Sequence, residues 1–111
     1  MSKAERESSI EGKSVDLWQA DGWVVRKWKA PGHRGVPDRI MFRRWPCEYR
    51  ACCAPELKKL GETPTEFQAD EHEILREAGL DVWVIDSLEK AQELLDFYNK
   101  MHEANCTGPY L

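Results

Sequence analysis

Three strand-like segments in succession, followed by a helix, a fourth strand and a last helix, constrain the fold of this chain more than any other feature. The segments 22–29, 38–44 and 48–58 are rich in β-branched and aromatic residues and are separated by turns containing glycine or proline. An apolar run at 80–85 predicts the fourth strand, and Asp86-Ser87 opens the last helix. With a helix before the first strand, the order α-β-β-β-α-β-α predicts an α/β fold, one mixed sheet flanked by helices.

The first helix is predicted over about 3–21, because scattered apolar positions end at Gly22, where a C-terminal glycine belongs. The length of 111 residues suits a single domain spanning 1–111. Its core is predicted over about 5–98, and the tail 102–111 is expected to be loose or to serve as a dimer arm.

The second helix carries a strong start signal. Thr63 can cap it, Pro64 fits the first helical position, and Glu66 completes a capping box. The helix is then predicted to end near Ala78. Since Glu66 occupies the capping position relative to Thr63, Gln68 is expected to be free to face the sheet.

Charge is segregated along the chain. The net charge of −4 argues, taken alone, against a nucleic-acid-binding protein. Yet seven basic residues and one acid, Asp38, lie between positions 23 and 46, whereas 62–103 holds twelve acids and three bases. A basic strand region facing phosphates would explain the pattern, and so would solvated faces without a specific partner.

The sequence contains no apolar run of the roughly 18 residues that a membrane helix needs. The N-terminal segment MSKAERESSIEG is charged and lacks the apolar core of a signal peptide. A cytoplasmic location is the expectation.

The four cysteines are expected to be reduced and to act as small apolar side chains. Their spacing lacks the CxxC pairs typical of zinc sites, so no zinc is expected. They are Cys47, Cys52, Cys53 and Cys106.

The candidate chemistry lies on the hairpin formed by the second and third strands. Glu56 and Lys58 are two residues apart on a strand, so their side chains point to the same face. If Trp45 pairs with Tyr49 across the turn, Asp38 falls directly opposite Glu56, whereas a slip by one residue would turn the strand over.

Two carboxylates that meet in this way suit Mg²⁺, which prefers a few carboxylates plus water and phosphate oxygens. Lys58 would orient a water molecule or neutralise developing charge. Without a metal, Asp38 and Glu56 would repel each other. A surface cluster of Asp, Glu and Lys on a hairpin, without a catalytic role, is the alternative.

Pro55 lacks a backbone N–H and is therefore disfavoured in a central strand, so it is expected to mark a bulge or a sheet edge.

The segment Gly35-Val36-Pro37-Asp38-Arg39-Ile40, then Glu56-Leu57-Lys58, then Gln68 resembles the PD-(D/E)XK nuclease superfamily. It is most similar to the stand-alone VRR-NUC domains of phages and bacteria, over about 6–95. The resemblance implies a restriction-endonuclease-like fold. It also implies that the protein acts in a bacterial or phage-infected host cell. It implies a metal-dependent endonuclease that cuts branched DNA such as a four-way junction or a flap, as a homodimer.

The resemblance also implies Mg²⁺ or Mn²⁺ held by Asp38, Glu56 and the main-chain carbonyl of Leu57, with Lys58 and Gln68 completing the site. An acid of the first helix should contribute as well, either Glu7 or Glu11. Basic side chains expected to contact DNA are Lys29, His33, Arg34, Arg39 and Lys59. Trp45 is the best candidate for stacking on a base, and His72 and His102 have no assigned role.

Two alternatives to a nuclease stay open at this stage. One is a DNA-binding module with the nuclease fold but weak or no cleavage. Pro55 favours it, because a proline next to Glu56 could displace that carboxylate from the site. The other is an interaction protein with no nucleic-acid partner, as the overall acidity would suggest.

Overall fold

The computed structural model describes residues 9–106. Along the chain it contains α1 (Ile10–Asp21), β1 (Val24–Lys27), β2 (Arg39–Arg44), β3 (Arg50–Leu57), α2 (Glu66–Glu77), β4 (Asp81–Ile85) and α3 (Leu88–Asn105). This order confirms the predicted α-β-β-β-α-β-α arrangement. Among residues 9–106 no helix is long and apolar enough to cross a bilayer.

The four strands form one mixed sheet in the order β1-β2-β3-β4. The first three strands are antiparallel neighbours, and β4 lies parallel to β3 after the crossover through α2. At the β2–β3 turn the Trp45 N–H donates to the Tyr49 carbonyl oxygen over 2.9 Å. Met41 pairs with Cys53 in the same register. Continued along the strands, this register places Asp38 opposite Glu56, as predicted.

Helices cover the two faces of the sheet unequally. α1 and α3 pack against each other and against one face, where the main apolar core lies. α2 packs on the second face and covers it only beside β4. The part of this second face over β1 and β2 remains open, and Val24 and Phe42 are exposed there. The core residues on the covered face include Trp18, Val25, Met41, Cys53, Ile85, Leu94 and Tyr98.

The described part of the first helix begins at Ile10. Ser9 has an extended backbone, and its side chain caps the helix by accepting a hydrogen bond from the Gly12 N–H over 3.3 Å. The predicted stretch 3–8 lies outside the described residues. Gly22, with φ 113°, ends the helix as predicted.

The prediction of a loose tail from residue 102 was wrong, because α3 continues through Asn105. The His102 ring is buried against Trp45, with ring centroids 5.2 Å apart. That the tail serves as a dimer arm stays a prediction. Trp45 is itself buried, which removes it as a platform for a DNA base. The prediction that all four cysteines are reduced was also wrong, since the end of α3 brings Cys106 to Cys47 and the two form a disulfide.

Pro55 marks no bulge in the β3–β4 pairing, but on the β2 side it lies beyond Cys53, the last residue of β3 that pairs with β2. It belongs to β3, an interior strand, and the register with β4 runs through Pro55 opposite Trp83 and Glu56 opposite Val84. Glu56 therefore keeps the position that the alternation predicts.

The direction of the missing N–H explains why proline is tolerated here. The Leu57 N–H points toward the β2 side, where it donates to Asp38, and residues two apart on a strand point their N–H groups the same way. The nitrogen of Pro55 therefore faces β2, beyond Cys53, where the β2–β3 pairing ends. The presence of proline at position 55 therefore costs β3 no hydrogen bond to β4.

Candidate active site

Asp38 and Glu56 meet at the open end of the β2–β3 hairpin. The Glu56 side chain is only 2% exposed. Asp38 stands just before β2, and its Oδ2 accepts a hydrogen bond from the Leu57 N–H over 2.9 Å. This contact takes the place of the ladder hydrogen bond that the strands no longer make, and it holds the Asp38 carboxylate beside β3.

The Glu56 carboxyl is in an environment that disfavours its charge. Burial, then the hydrogen bond with Asp38 and the Asp38 charge, raise the pKa of Glu56 to about 8, while Lys58 acts in the opposite direction. Within residues 9–106, Glu56 Oε1 is buried and has no hydrogen-bond partner. A buried carboxylate oxygen without a partner, next to a second carboxylate, fits a hard divalent cation such as Mg²⁺ or Mn²⁺.

Gln68 connects the helix to this carboxyl. Its side-chain Oε1 accepts a hydrogen bond from the Thr65 backbone N–H over 2.9 Å, and its backbone N–H donates to Thr65 Oγ1. Its side-chain Nε2 donates to Glu56 Oε2 over 3.2 Å. Thr65 is therefore the cap of α2, and the prediction of Thr63 with Glu66 was wrong. Gln68 faces the sheet as expected, yet it does so while acting as the capping-box partner.

His72 is a neighbour of the site that the sequence analysis missed. It is 1% exposed, and its Nε2 lies 3.5 Å from Glu56 Oε1. Burial, then the charges of Arg76 and Lys58, lower the pKa of His72, so the ring is neutral at pH 7. The signal was available in the sequence, since His72 follows Gln68 by four residues and so shares its helix face.

Lys58 and Leu57 complete the centre. Lys58 directly follows β3, is half-buried, and shares the sheet face of Glu56 by the two-residue alternation. In a strand the N–H and C=O of one residue point to the same side. The Leu57 carbonyl thus points toward Asp38, where the β2–β3 pairing has already ended.

Glu11 reaches the site from α1. It lines one shallow cleft with Asp38 and a second with Leu57 and Lys58. Its carboxylate forms an ion pair of 2.9 Å with Arg39 and remains 51% exposed. Glu7, the other first-helix acid, lies outside the described residues.

The basic loop before β2 is fastened to α2. His33 Nε2 lies 2.9 Å from Glu71 Oε1 while the imidazole remains largely exposed. The Arg34 guanidinium stacks over the Phe67 ring at 4.1 Å. Lys29 lines the cleft with Asp38, and Lys59 lines the cleft on the Lys58 side. All five residues predicted to contact DNA thus lie around the two carboxylates or on the loop beside them.

Gly35 allows that loop to approach α2 closely. It has φ 90°, and a Cβ there would lie 2.6 Å from the Phe67 carbonyl oxygen. We expect Gly35→Ala to lower the free energy of unfolding by about 2–4 kcal/mol, measured by urea denaturation, because strain and steric overlap add. Gly32→Ala is the matched control, with φ 78° and open space around its Cβ. It should cost only about 1 kcal/mol, and equal losses in the two variants would contradict the contact.

Comparisons with known proteins identify the fold and the class of protein. No family model matches the chain. A protein of Acyrthosiphon pisum secondary endosymbiont phage 1, named "Putative nuclease p44", is 39% identical over 83 residues, covering 74% of this chain and 84% of the relative. A solved structure named as a VRR_NUC domain superposes with a TM-score of 0.70 at 26% identity, covering 84% of this chain and 97% of that one. The chain belongs to the VRR-NUC family of nucleases.

Proposed function

We propose that this protein is a metal-dependent, structure-specific endodeoxyribonuclease that hydrolyses phosphodiester bonds in branched DNA, either a four-way junction or a flap. The observation that carries the proposal is the pairing of the buried Glu56 carboxyl with Asp38 at the end of one hairpin, beside Lys58. The cost of keeping two carboxylates together is offset when a divalent cation binds between them, and that cation can then attract the phosphate of the substrate.

The cation-binding groups in this proposal are Asp38, Glu56 and the main-chain carbonyl of Leu57, and the ion is Mg²⁺ or Mn²⁺. Such an ion activates an attacking water and stabilises charge on the phosphate. Oxygen donors of this kind suit both ions, so the donor set alone does not choose between them.

The remaining residues orient the reacting groups. Lys58 supplies a compact positive charge next to the phosphate. Gln68 holds Glu56 Oε2 through its amide, which fixes the direction of the other oxygen, Oε1. Glu11, with its exposed carboxylate, orients solvent at the edge of the site, and Glu7 stays the alternative for this role.

The proposed DNA path follows the basic rim of the two clefts. Lys29 and Arg39 lie on the Asp38 side, Lys59 lies on the Lys58 side, and His33 and Arg34 extend the rim along the loop. These side chains contact phosphates, which gives affinity that falls as salt rises.

We further propose that the protein acts as a homodimer, in the cytoplasm of a bacterial or phage-infected host cell. Support for the dimer comes from the open sheet face, where Val24 is 49% and Phe42 43% exposed. Phe42→Glu should convert a dimer to a monomer by light scattering, with Leu60→Glu, a change at another exposed apolar site, as the control. A wild-type protein that is monomeric at all concentrations would contradict this part.

The test of the function is incubation of labelled four-way junction, flap and linear duplex DNA with Mg²⁺, with Mn²⁺ and with a chelator. We expect cleavage of a branched substrate with either metal and none with the chelator. If no substrate is cut at high enzyme concentration, the proposal fails. A DNA-binding module without cleavage would then show salt-sensitive binding alone. The earlier motive for that alternative is weak, since Pro55 leaves Glu56 in register.

Gln68 offers a test of the connection between helix and site. Gln68→Ala removes the amide from Glu56 and should lower the cleavage rate about 10- to 100-fold. Thr65→Ala is the matched control, because it loses the capping hydroxyl, at about 1 kcal/mol, but leaves the Gln68 amide in place. Equal losses of cleavage in the two variants would show that Gln68 acts only as a cap.

A further inference from the structure

A second cluster of potential ligands lies at the turn of the β2–β3 hairpin, the end remote from Asp38 and Glu56. Cys47 belongs to the loop between Trp45 and Tyr49, while His102 and Cys106 come from the end of α3. One ligand atom from each of Cys47, His102 and Cys106 lies within 4.8 Å of the others.

The helix end holds two of these groups on one side. Cys106 follows His102 by four residues, and its N–H donates to the His102 carbonyl oxygen over 2.9 Å, so the two side chains share a face. The His102 ring stacks on Trp45 with an interplanar angle of 14°, which fixes the plane of the imidazole. The cluster is therefore positioned by packing.

His102 Nε2 supplies the independent sign of a missing ligand. The residue is 9% exposed, and among the described residues this nitrogen has no hydrogen-bond partner. Leaving such a group unsatisfied costs about 1–3 kcal/mol. The disulfide between Cys47 and Cys106 does not remove this cost, because disulfide sulfur has no proton to donate and is a weak acceptor.

We propose that the protein with Cys47 and Cys106 reduced binds one thiophilic divalent cation of the Zn²⁺ type through these two sulfurs and His102 Nε2. Two thiolates and an imidazole are a borderline-soft donor set that favours Zn²⁺ or Co²⁺ over Mg²⁺ and Mn²⁺. With bonds of about 2.3 Å to sulfur and about 2.0 Å to nitrogen, one ion spans donors that lie as close as these.

Binding deprotonates both thiols and releases their protons to solvent, while His102 binds as the neutral imidazole. Three protein ligands leave the fourth position to solvent. The ion would tie the hairpin turn to the end of α3 and give His102 Nε2 its partner. This proposal is independent of the nuclease site, whose oxygen ligands select harder ions.

The test is a titration of the reduced, metal-free full chain with Co²⁺, followed by displacement with Zn²⁺. We expect thiolate-to-cobalt charge-transfer absorption and the visible bands of tetrahedral Co²⁺, saturating at one ion per chain and lost on addition of Zn²⁺. Cys47→Ser and His102→Gln should each weaken Co²⁺ binding about 10-fold or more. Cys52→Ser, a change at an exposed free cysteine, is the matched control and should leave the spectrum unchanged.

Three results would overturn the proposal. One is a reduced protein, folded by circular dichroism, that shows no cobalt–thiolate absorption. Another is an absorption that persists in both Cys47→Ser and Cys106→Ser, which would assign the sulfur ligands elsewhere. The third is a disulfide that resists reduction, seen by mass spectrometry after thiol alkylation in reductant as unlabelled Cys47 and Cys106 beside a modified Cys52.

Discussion

Replacing Lys58 with alanine is expected to lower the rate of DNA cleavage about 100- to 1,000-fold, the loss typical of removing one group that stabilises transition-state charge. Lys58 shares the sheet face of Glu56 and is the positive charge that opposes the rise of the Glu56 pKa. Because the side chain is only half-buried and outside the apolar core, the free energy of unfolding should change by less than about 1 kcal/mol.

Single-turnover cleavage of the branched substrate, measured beside urea denaturation, checks this expectation. Lys59→Ala is the matched control, since it removes the same charge from the next, exposed position. It should weaken DNA binding slightly, with a small change in the cleavage rate. Equal losses of cleavage in the two variants would mean that Lys58 contributes only general attraction for DNA.

Replacing Glu56 with glutamine is expected to abolish metal-dependent cleavage and, in the metal-free protein, to increase stability at alkaline pH. The folded-state pKa of Glu56, about 8, exceeds the ordinary value of 4.5. The folded protein therefore holds a proton that the unfolded chain releases between these values. The contribution of Glu56 to stability is full below pH 4.5 and is lost as the pH rises through about 8.

Glutamine resembles the protonated carboxyl at every pH, so the variant protein keeps the stability that the protonated Glu56 gives. At pH 9 in a chelator, the variant should exceed the wild type by about 1–3 kcal/mol, and the difference should shrink toward pH 5. Urea denaturation at the two pH values gives this difference directly. Glu73→Gln, a change at an exposed carboxyl on the same α2 helix, is the control and should follow the wild type. A pH-independent difference for Glu56→Gln would contradict the buried, coupled carboxyl.

The hairpin was predictable because strand alternation and one turn contact determine it. Once Trp45 pairs with Tyr49, Asp38 must lie opposite Glu56, and Lys58 must share the Glu56 face. Pro55 misled the sequence argument, because the direction of its missing N–H depends on the neighbouring strands and not on the residue itself.

The start of α2 could not be settled locally. The segment 63–68 contains two overlapping capping boxes, Thr63 with Glu66 and Thr65 with Gln68, and Pro64 gives the first of them additional local support. The structure uses the second, which is also the one that places the Gln68 amide on Glu56. The capping box that forms is thus the one whose Gln68 side chain also contacts Glu56 on the sheet.

The cluster at the hairpin turn depended on contacts distant in sequence. His102 and Cys106 follow Cys47 by more than fifty residues, so their meeting required the length and direction of α3. The apolar pattern indicated the helix but not its end. The aromatic packing of His102 on Trp45, within the last turns of the helix, has no signal within the local sequence.

The central claim is that Asp38 and Glu56 jointly hold a divalent cation. Mn²⁺ binding, followed by the loss of the electron paramagnetic resonance signal of free Mn²⁺, tests it most directly, since the thiol cluster does not favour this ion. The wild type should bind Mn²⁺ near pH 8, while Asp38→Asn and Glu56→Gln should each lose about 10-fold or more in affinity. Equal binding by all three proteins, or no binding by the folded wild type, would contradict the claim.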